Sequence, residues 1–484
     1  MISTLHFEDS LQLAAGSFNN KIITIILAAG LGKRMKSGLA KVLHPVAGIP
    51  MILYPVKVAE EISSERIIVV VGHQADRVKD VLSGRDVEIV QQVEQKGTAD
   101  AVRLAMDSLK GYKGMLVVLC GDVPLITPKT ISGLISAHRD RGAIMTVLTT
   151  EVEDPSGYGR IVRSSDGSIL RIVEERDADN EIKRIKEINS GTYVFDSLFL
   201  SEVLREIKSE NAQREFYLTD SIETGLKKGF KVYAYKTIER EEIIGINSRN
   251  ELAMADIIMR RRINNRHMLN GVTMINPDNT YVGMDVSIGQ DVTIYPGATI
   301  EGNTTIGNRS VIYPNSRIVN SQIGSDVNIK DSSVIEDSRI GDGSQVGPFA
   351  HLRPGTILDK NVRIGNYVEL KKAFMGEGSK ANHLTYLGDA EIGSDVNIGA
   401  GTITCNYDGK KKHRTTIGDG VFVGSDVQFV APVKIGEGAF IAAGSTVTKD
   451  VPPGSLAISR VEQKNMEGWV EEREKRKGNK TQEK

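Results

Sequence analysis

The chain is short of several things at once. Two cysteines, Cys120 and Cys405, occur in 484 residues and lie far apart, which leaves no disulfide framework to draw. Aromatic residues make up 5% beside 48 glycines, a balance that suits tight corners better than bulky cores. Charge excess is almost absent. The 61 Lys and Arg against 62 Asp and Glu give a net charge of -1, so no global basic field argues for nucleic acid. No apolar run approaches the roughly 18–20 residues of a membrane span. Residues 1–20 lack the basic and apolar regions of a secretory signal, and a reducing cytoplasm is the expected address. At this length one core is too few, and two or three domains are expected.

What the chain does have is a beat. From residue 282 to residue 447 an aliphatic side chain stands at almost every sixth position. The run Val282, Ile288, Ile294, Ile300, Ile306, Ile312, Ile318 is unbroken, and it resumes after a slip of one at Ile323, Ile329 and Ile335. It returns from Ile340 to Leu370 and closes from Ile417 to Val447. Neither a helix nor an ordinary strand leaves a lone apolar residue at every sixth place. Stacked short strands joined by tight turns do, so the pattern predicts a β-helix of hexapeptide repeats. About nine coils at roughly 4.8 Å each give a rod on the order of 40–45 Å, long enough to keep two sites apart. The beat fails over 371–391 and 405–416. Polar inserts there are expected to project from the column, within reach of a neighbouring copy.

The first half reads differently. KIITIILAAG (21–30) is a buried strand entering a glycine loop, and apolar runs follow at 67–71, 115–119, 143–148 and 193–195. Helical stretches at 50–62 and 98–109 lie between them, the alternation of an α/β domain with a mostly parallel sheet. Residues just beyond the strands are therefore the ones that meet ligands. A capping box at Ser248 and Glu251 opens a linker helix to about Leu269. The expected parts are an unassigned extension (1–20), the α/β domain (21–247), the linker helix (248–270), the β-helix (271–468) and a charged, disordered tail (469–484).

The loop Leu27-Ala28-Ala29-Gly30 with Lys33, Arg34 and Lys41 brings glycine and cations to a strand end, where a triphosphate could be gripped. Met35 stands where a dinucleotide fingerprint needs glycine, which disfavours a Rossmann dehydrogenase. By itself the loop reads equally well as a strand–helix turn with a solvated basic face. Cys120-Gly121-Asp122 places a carboxylate after a second strand, suited to Mg²⁺ facing phosphates, although a Gly-Asp turn alone is more often structural. Gln95 to Thr98 and Gly157 to Arg160 add further polar loops.

The ordered set LAAGLGKRM, KVLHPVAG, GDVPL, GYGRI, IVEERDA, EINSG and GINSR resembles the bacterial bifunctional N-acetylglucosamine-1-phosphate uridyltransferase/glucosamine-1-phosphate acetyltransferases, from about residue 21 to 468. The resemblance implies a Rossmann-like nucleotidyltransferase domain followed by a left-handed parallel β-helix of hexapeptide repeats. It implies transfer of UMP from UTP to N-acetylglucosamine 1-phosphate, with Mg²⁺, after acetylation of glucosamine 1-phosphate by acetyl-CoA. Carried over residue by residue, Leu27 to Gly30, Lys41, Gln92, Gly97, Thr98, Cys120 and Gly121 would line the nucleotide site. Gly159, Glu174 and Asn189 would hold the sugar, and Asp122 and Asn247 the Mg²⁺. Arg34 and Lys41 would offset charge on the leaving pyrophosphate. Cys120 needs no thiol chemistry at its position.

For acetyl transfer the resemblance makes His383 the general base, where spacing alone favours a packing histidine. Arg353, Lys371, Tyr386 and Asn397 would hold the sugar phosphate. Ala400, Ser425, Ala443 and Arg460 would line the acetyl-CoA site, with Asn406 and Tyr407 near the reacting groups. Residues 410–414 read as a solvated hairpin tip. The family is homotrimeric, and no nucleic-acid or membrane partner is expected. A monofunctional nucleotidyltransferase with a purely assembling β-helix is the competing reading; the presence of both His383 and Arg460 weighs against it.

Overall fold

A computed structural model describes residues 21–481, so the 1–20 extension, with its small apolar cluster, lies outside the described residues. The chain divides into two compact units, Met1–Ile263 and Asn264–Lys484. In the first, a nine-stranded sheet runs in the order Val232–Lys236, Met145–Glu151, Glu187–Asp196, Met115–Cys120, Ile22–Ala28, Arg66–Val71, Glu88–Gln91, with Arg160–Arg163 and Ile169–Val173 off this path beside Glu187–Asp196. Along that order all pairs are parallel except those of Glu187–Asp196, and the off-path pair Arg160–Arg163 with Ile169–Val173 is antiparallel. Side chains alternate between two cores, because successive strand residues point to opposite faces. Ile22, Ile26, Val69 and Val117 pack on one side; Ile23, Ile25, Val70 and Val118 pack on the other. Burial on both faces is why these strands read as unbroken apolar runs.

The strand order sets the place of the site. The chain builds outward from Ile22–Ala28 in one direction, then returns to its other side with Met115–Cys120. The crevice between the carboxyl ends of those two strands is the topological switch point, where open α/β sheets take their ligands. Leu27–Gly30 and Cys120–Asp122 both sit there.

The linker helix spans Arg249–Leu269 and opens with the expected reciprocal capping box. The Ser248 hydroxyl accepts the Glu251 N–H at 3.3 Å, and Glu251 Oε2 accepts the Ser248 N–H at 2.7 Å.

The second unit is a left-handed parallel β-helix. Two- and three-residue strands stack so that Ile294, Ile312, Ile329 and Val346 form one inward column. Ile300, Ile318, Ile335 and Leu352 form a second, and Ile288, Ile306, Ile323 and Ile340 a third. All but Ile288 are buried. The third face alone counts nine strands, matching the expected height. Left-handed backbone marks the corners, as at Tyr367 (φ 55°), Leu384 (φ 47°), Lys372 (φ 47°) and Asp389 (φ 48°).

The first expected interruption is not an insert. Residues 371–391 continue the coils, with Met375, Ala381, Leu387 and Ile392 buried in the three columns. Alanine is too small to sound the beat in sequence, and the phase slips on either side of it. The second interruption does leave the column: Tyr407 pairs with Lys412 across a short antiparallel excursion. The tail also departs from expectation. Trp469–Thr481 forms a helix, with Arg473 over the Trp469 ring and an Arg476–Glu472 pair at i,i+4.

Candidate active sites

The switch-point crevice opens into a cavity of about 660 Å³. Its walls include Leu27, Ala28, Ala29, Gly30, Lys33, Lys41, Gln92, Gly97, Thr98, Cys120 and Asp122. Gly32, at φ 60°, lets the loop close onto Lys41: a Cβ there would stand 2.7 Å from Lys41 Cβ. The Lys41 ammonium pairs with Asp122 and donates to Asn247 Oδ1 at 3.1 Å. Asn247 reaches this point because the Ile246 N–H donates to the Asp122 carbonyl at 2.9 Å. Its amide nitrogen donates to the Gly245 carbonyl at 3.1 Å, which turns its oxygen toward the cation. Asp122 and Asn247 therefore converge on one positive charge. Arg34 is exposed on the Lys33–Met35 turn and stands outside the cavity wall.

Gly159, Glu174 and Asn189 also come together. The Asn189 N–H donates to the Gly159 carbonyl at 2.9 Å, and a Cβ on Gly159 would stand 3.4 Å from the Glu174 carboxylate. Burial raises the Glu174 pKa, against a hydrogen bond from Thr219 that lowers it. Burial pushes the Cys120 thiol up to about 12, and Sγ contacts the Gly191 carbonyl at 3.4 Å.

In the β-helix the acetyl-transfer candidates fall on two corners. One corner stacks coil over coil by backbone bonds. The Gly401 N–H donates to the Leu384 carbonyl at 3.1 Å, that of Asp426 to Ala400 at 2.7 Å, and that of Gly444 to Ser425 at 2.8 Å. The Arg460 guanidinium caps this column on the Ala443 carbonyl at 2.7 Å. His383 stands at its head, exposed, with Nδ1 2.7 Å from Asn366 Oδ1. An amide oxygen only accepts, so in the neutral imidazole this contact favours the tautomer with hydrogen on Nδ1 and the lone pair on Nε2. Asn397 is on the face leading to this corner, paired with Lys380.

The other corner gathers cations. Arg353 bonds Glu369 at 2.8 Å, and the Asp389 N–H donates to the Lys371 carbonyl at 2.9 Å. Arg353 first, then Lys412, lowers the Lys371 pKa by charge repulsion. Such a cluster, with more positive than negative charge, suits an anion. Lys412 belongs to the excursion read from sequence as a solvated tip, and here it faces Lys371. Buried Asn406 donates to Asp389 at 2.6 Å; Tyr407 is exposed, its hydroxyl on the Gly409 carbonyl at 2.7 Å. Tyr386 lies between the two corners, paired with Glu369 in the strand Lys380–Gly388.

Comparison with known proteins agrees with both halves. The Nucleotidyl transferase profile matches residues 23–240, GMPPB C-terminal domain matches 282–376, and Bacterial transferase hexapeptide (six repeats) matches 414–449. The bifunctional protein GlmU of Geotalea uraniireducens is 53% identical over 451 residues, covering 93% of this chain and 99% of the relative. The chain belongs to the GlmU family. GlmU of Thermoanaerobacter pseudethanolicus (53%) and of Caldanaerobacter subterraneus (52%) each cover 94% of this chain and 99% of their own lengths.

Against this GlmU framework, sequence reading missed Glu251 and Asn366 as supports. Glu251 Oε2 accepts the Asn247 N–H at 2.7 Å as well as that of Ser248, so the capping box also fixes the residue facing Asp122. Asn366 is detectable in principle: it precedes His383 by 17 residues, one coil. Asn366→Ala is expected to lower acetyl transfer about tenfold without lowering the melting temperature if His383 acts as the general base, because the imidazole then loses the partner that orients it. A full-rate variant in an acetyl-transfer assay would reject that role. Among the described residues no helix is long and apolar enough to cross a membrane, and no group of three or more His, Cys, Asp or Glu gathers for a metal.

Proposed function

We propose that this chain makes UDP-N-acetylglucosamine in two steps. The β-helix acetylates glucosamine 1-phosphate with acetyl-CoA, and the α/β unit then transfers UMP from UTP to the product, releasing pyrophosphate. The observation that carries the second step is the convergence of Asp122 and Asn247 on one cation beside a phosphate-sized loop. Mg²⁺ commonly takes one or two carboxylates, waters and substrate phosphates, so this donor pair fits it. When bound it would neutralise phosphate charge during transfer. Lys41, released from Asp122, would move its ammonium to the nucleotide. Leu27 to Gly30 would offer backbone N–H groups to the phosphates, with Gln92, Gly97 and Thr98 placing the base. The attacking oxygen of the sugar phosphate is already ionised, so positioning by Gly159, Glu174 and Asn189 replaces any protein nucleophile.

In acetyl transfer, the neutral amine nitrogen of glucosamine 1-phosphate would attack the thioester carbonyl while Nε2 of His383 takes its proton. The C–S bond then breaks, and that proton passes to the departing thiolate, so that coenzyme A leaves as the thiol. Ala400, Ser425, Ala443 and Arg460 would bind the coenzyme along their corner. Arg353, Lys371, Tyr386 and Asn397 would bind the sugar phosphate, with Asn406 and Tyr407 near the reacting groups. Lys371 pairs with Gly388, five residues beyond His383, which places the two corners roughly 15 Å apart along one face. A general base must work at about 3 Å. A second copy that sets its cation corner beside this His383 closes the gap, and a closed ring of three copies is the assembly this supports, acting in the cytoplasm. The test is one incubation with glucosamine 1-phosphate, acetyl-CoA, UTP and Mg²⁺, reading free thiol and pyrophosphate. Both should appear, thiol first. Pyrophosphate from added N-acetylglucosamine 1-phosphate without any thiol release would reject the bifunctional reading.

A further inference from the structure

The strand Glu187–Asp196 carries an irregularity that points at the sugar cluster. It advances four residues, Asn189 to Tyr193, while its neighbour advances two, Thr149 to Val147. Bulges of this kind re-aim side chains beside active sites. Gly191 stands at its apex with φ 75°, and a Cβ there would lie 2.8 Å from Cys120 Sγ. The Ser190 hydroxyl anchors the bulge on the Leu148 carbonyl at 2.7 Å and accepts the Thr192 N–H at 3.1 Å.

Both ends of the Asn189 amide are held within this bulge. Its oxygen accepts the Gly191 N–H at 2.9 Å, and its nitrogen donates to the Tyr193 hydroxyl at 2.8 Å. Tyr193 is 3% exposed, packed in the core with its ring centroid 5.5 Å from that of Phe195. A side chain held this firmly cannot swing with a ligand, so whatever it fixes is fixed rigidly. We propose that Tyr193 is a positioning residue for the sugar: its hydroxyl locks the Asn189 amide in the orientation that reads the N-acetyl sugar. The inference rests on the sugar-binding reading of Asn189 given above. Tyr193 itself reaches the substrate only through Asn189. Its ring supplies packing, its oxygen supplies orientation, and the two contributions are separable because phenylalanine keeps the ring.

Tyr193→Phe, Asn189→Ala and the double variant, made in the full-length chain, separate these roles. Steady-state uridylyl transfer with N-acetylglucosamine 1-phosphate and UTP is the readout. Tyr193→Phe should raise KM for the sugar phosphate about three- to tenfold, as for a lost neutral hydrogen bond. kcat, the KM for UTP and acetyl transfer should stay within twofold. In the Asn189→Ala background the same change should add nothing, because the partner is gone. An equal KM increase in both backgrounds would overturn the inference, as would an unchanged KM in Tyr193→Phe while Asn189→Ala raises it. An unchanged sugar KM in Asn189→Ala would instead remove the sugar reading beneath it.

Discussion

Asp122→Asn is expected to abolish pyrophosphate release, by at least about 10³-fold, while leaving acetyl transfer within twofold. The substitution keeps shape and an acceptor oxygen, so Lys41 retains a hydrogen-bond partner and the fold retains its Ile246–Asp122 backbone bond. What disappears is the one carboxylate charge that converges with Asn247 on the cation. Transfer at the α-phosphorus brings two anions together, and positive charge at this spot is what offsets their repulsion. An amide in place of the carboxylate leaves that positive charge weakly held. The Asp122 side chain is only 22% exposed, so its charge acts with little solvent screening. Parallel pyrophosphate and thiol assays on the purified variant decide the matter. A variant that retains a tenth of its pyrophosphate release would show that the carboxylate is structural.

The elements legible in sequence are those whose signal repeats or sits next to itself. Strand ends after Ile22–Ala28 and Met115–Cys120 were readable because burial on both faces makes continuous apolar runs, and the loops that follow them form the cavity wall. The β-helix was readable because each coil buries one residue per face. It became unreadable at Ala381, where a methyl group fills the column and sounds no aliphatic beat. The lapse of the beat over 371–391 therefore points to a projecting insert where the structure has a continuous coil, and His383 sits on a corner rather than in a loop. Supports were the least legible class. Tyr193 supports Asn189 across a bulge, and Asn366 supports His383 across one coil. The first leaves no pattern in sequence, since it depends on how the backbone bulges, and the second shows only once the length of a coil is known. The charged tail shows the converse: composition alone argued for disorder, while i,i+4 charge pairing supports a helix there.

His383→Ala should lower acetyl transfer by roughly 10²–10⁴-fold and leave uridylyl transfer unchanged, the mirror image of the Asp122 result. The size follows from the chemistry. An amine attacking a thioester must lose a proton, and His383 is the imidazole of this corner column: Ala400, Ser425 and Ala443 stack there through backbone bonds, the Asp426 carboxylate already accepts from Gln428 Nε2 at 3.0 Å, and Arg460 is a permanent cation. The imidazole is exposed and its packing slight, so alanine should fold as well as histidine does. The remaining rate should come from binding and proximity alone. His383→Gln keeps a polar side chain but no basic nitrogen, and should fall as far as alanine. A loss smaller than about tenfold in either variant would mean that another group or bulk water accepts the proton. Mixing provides the sharper form of the experiment. His383→Ala and Lys371→Ala chains, each inactive alone, should regain acetyl transfer when denatured together and reassembled, because in the proposed ring a mixed assembly would pair one intact His383 corner with one intact Lys371 corner. Failure to regain activity, with mixed assemblies verified by mass, would place both corners' work within a single chain.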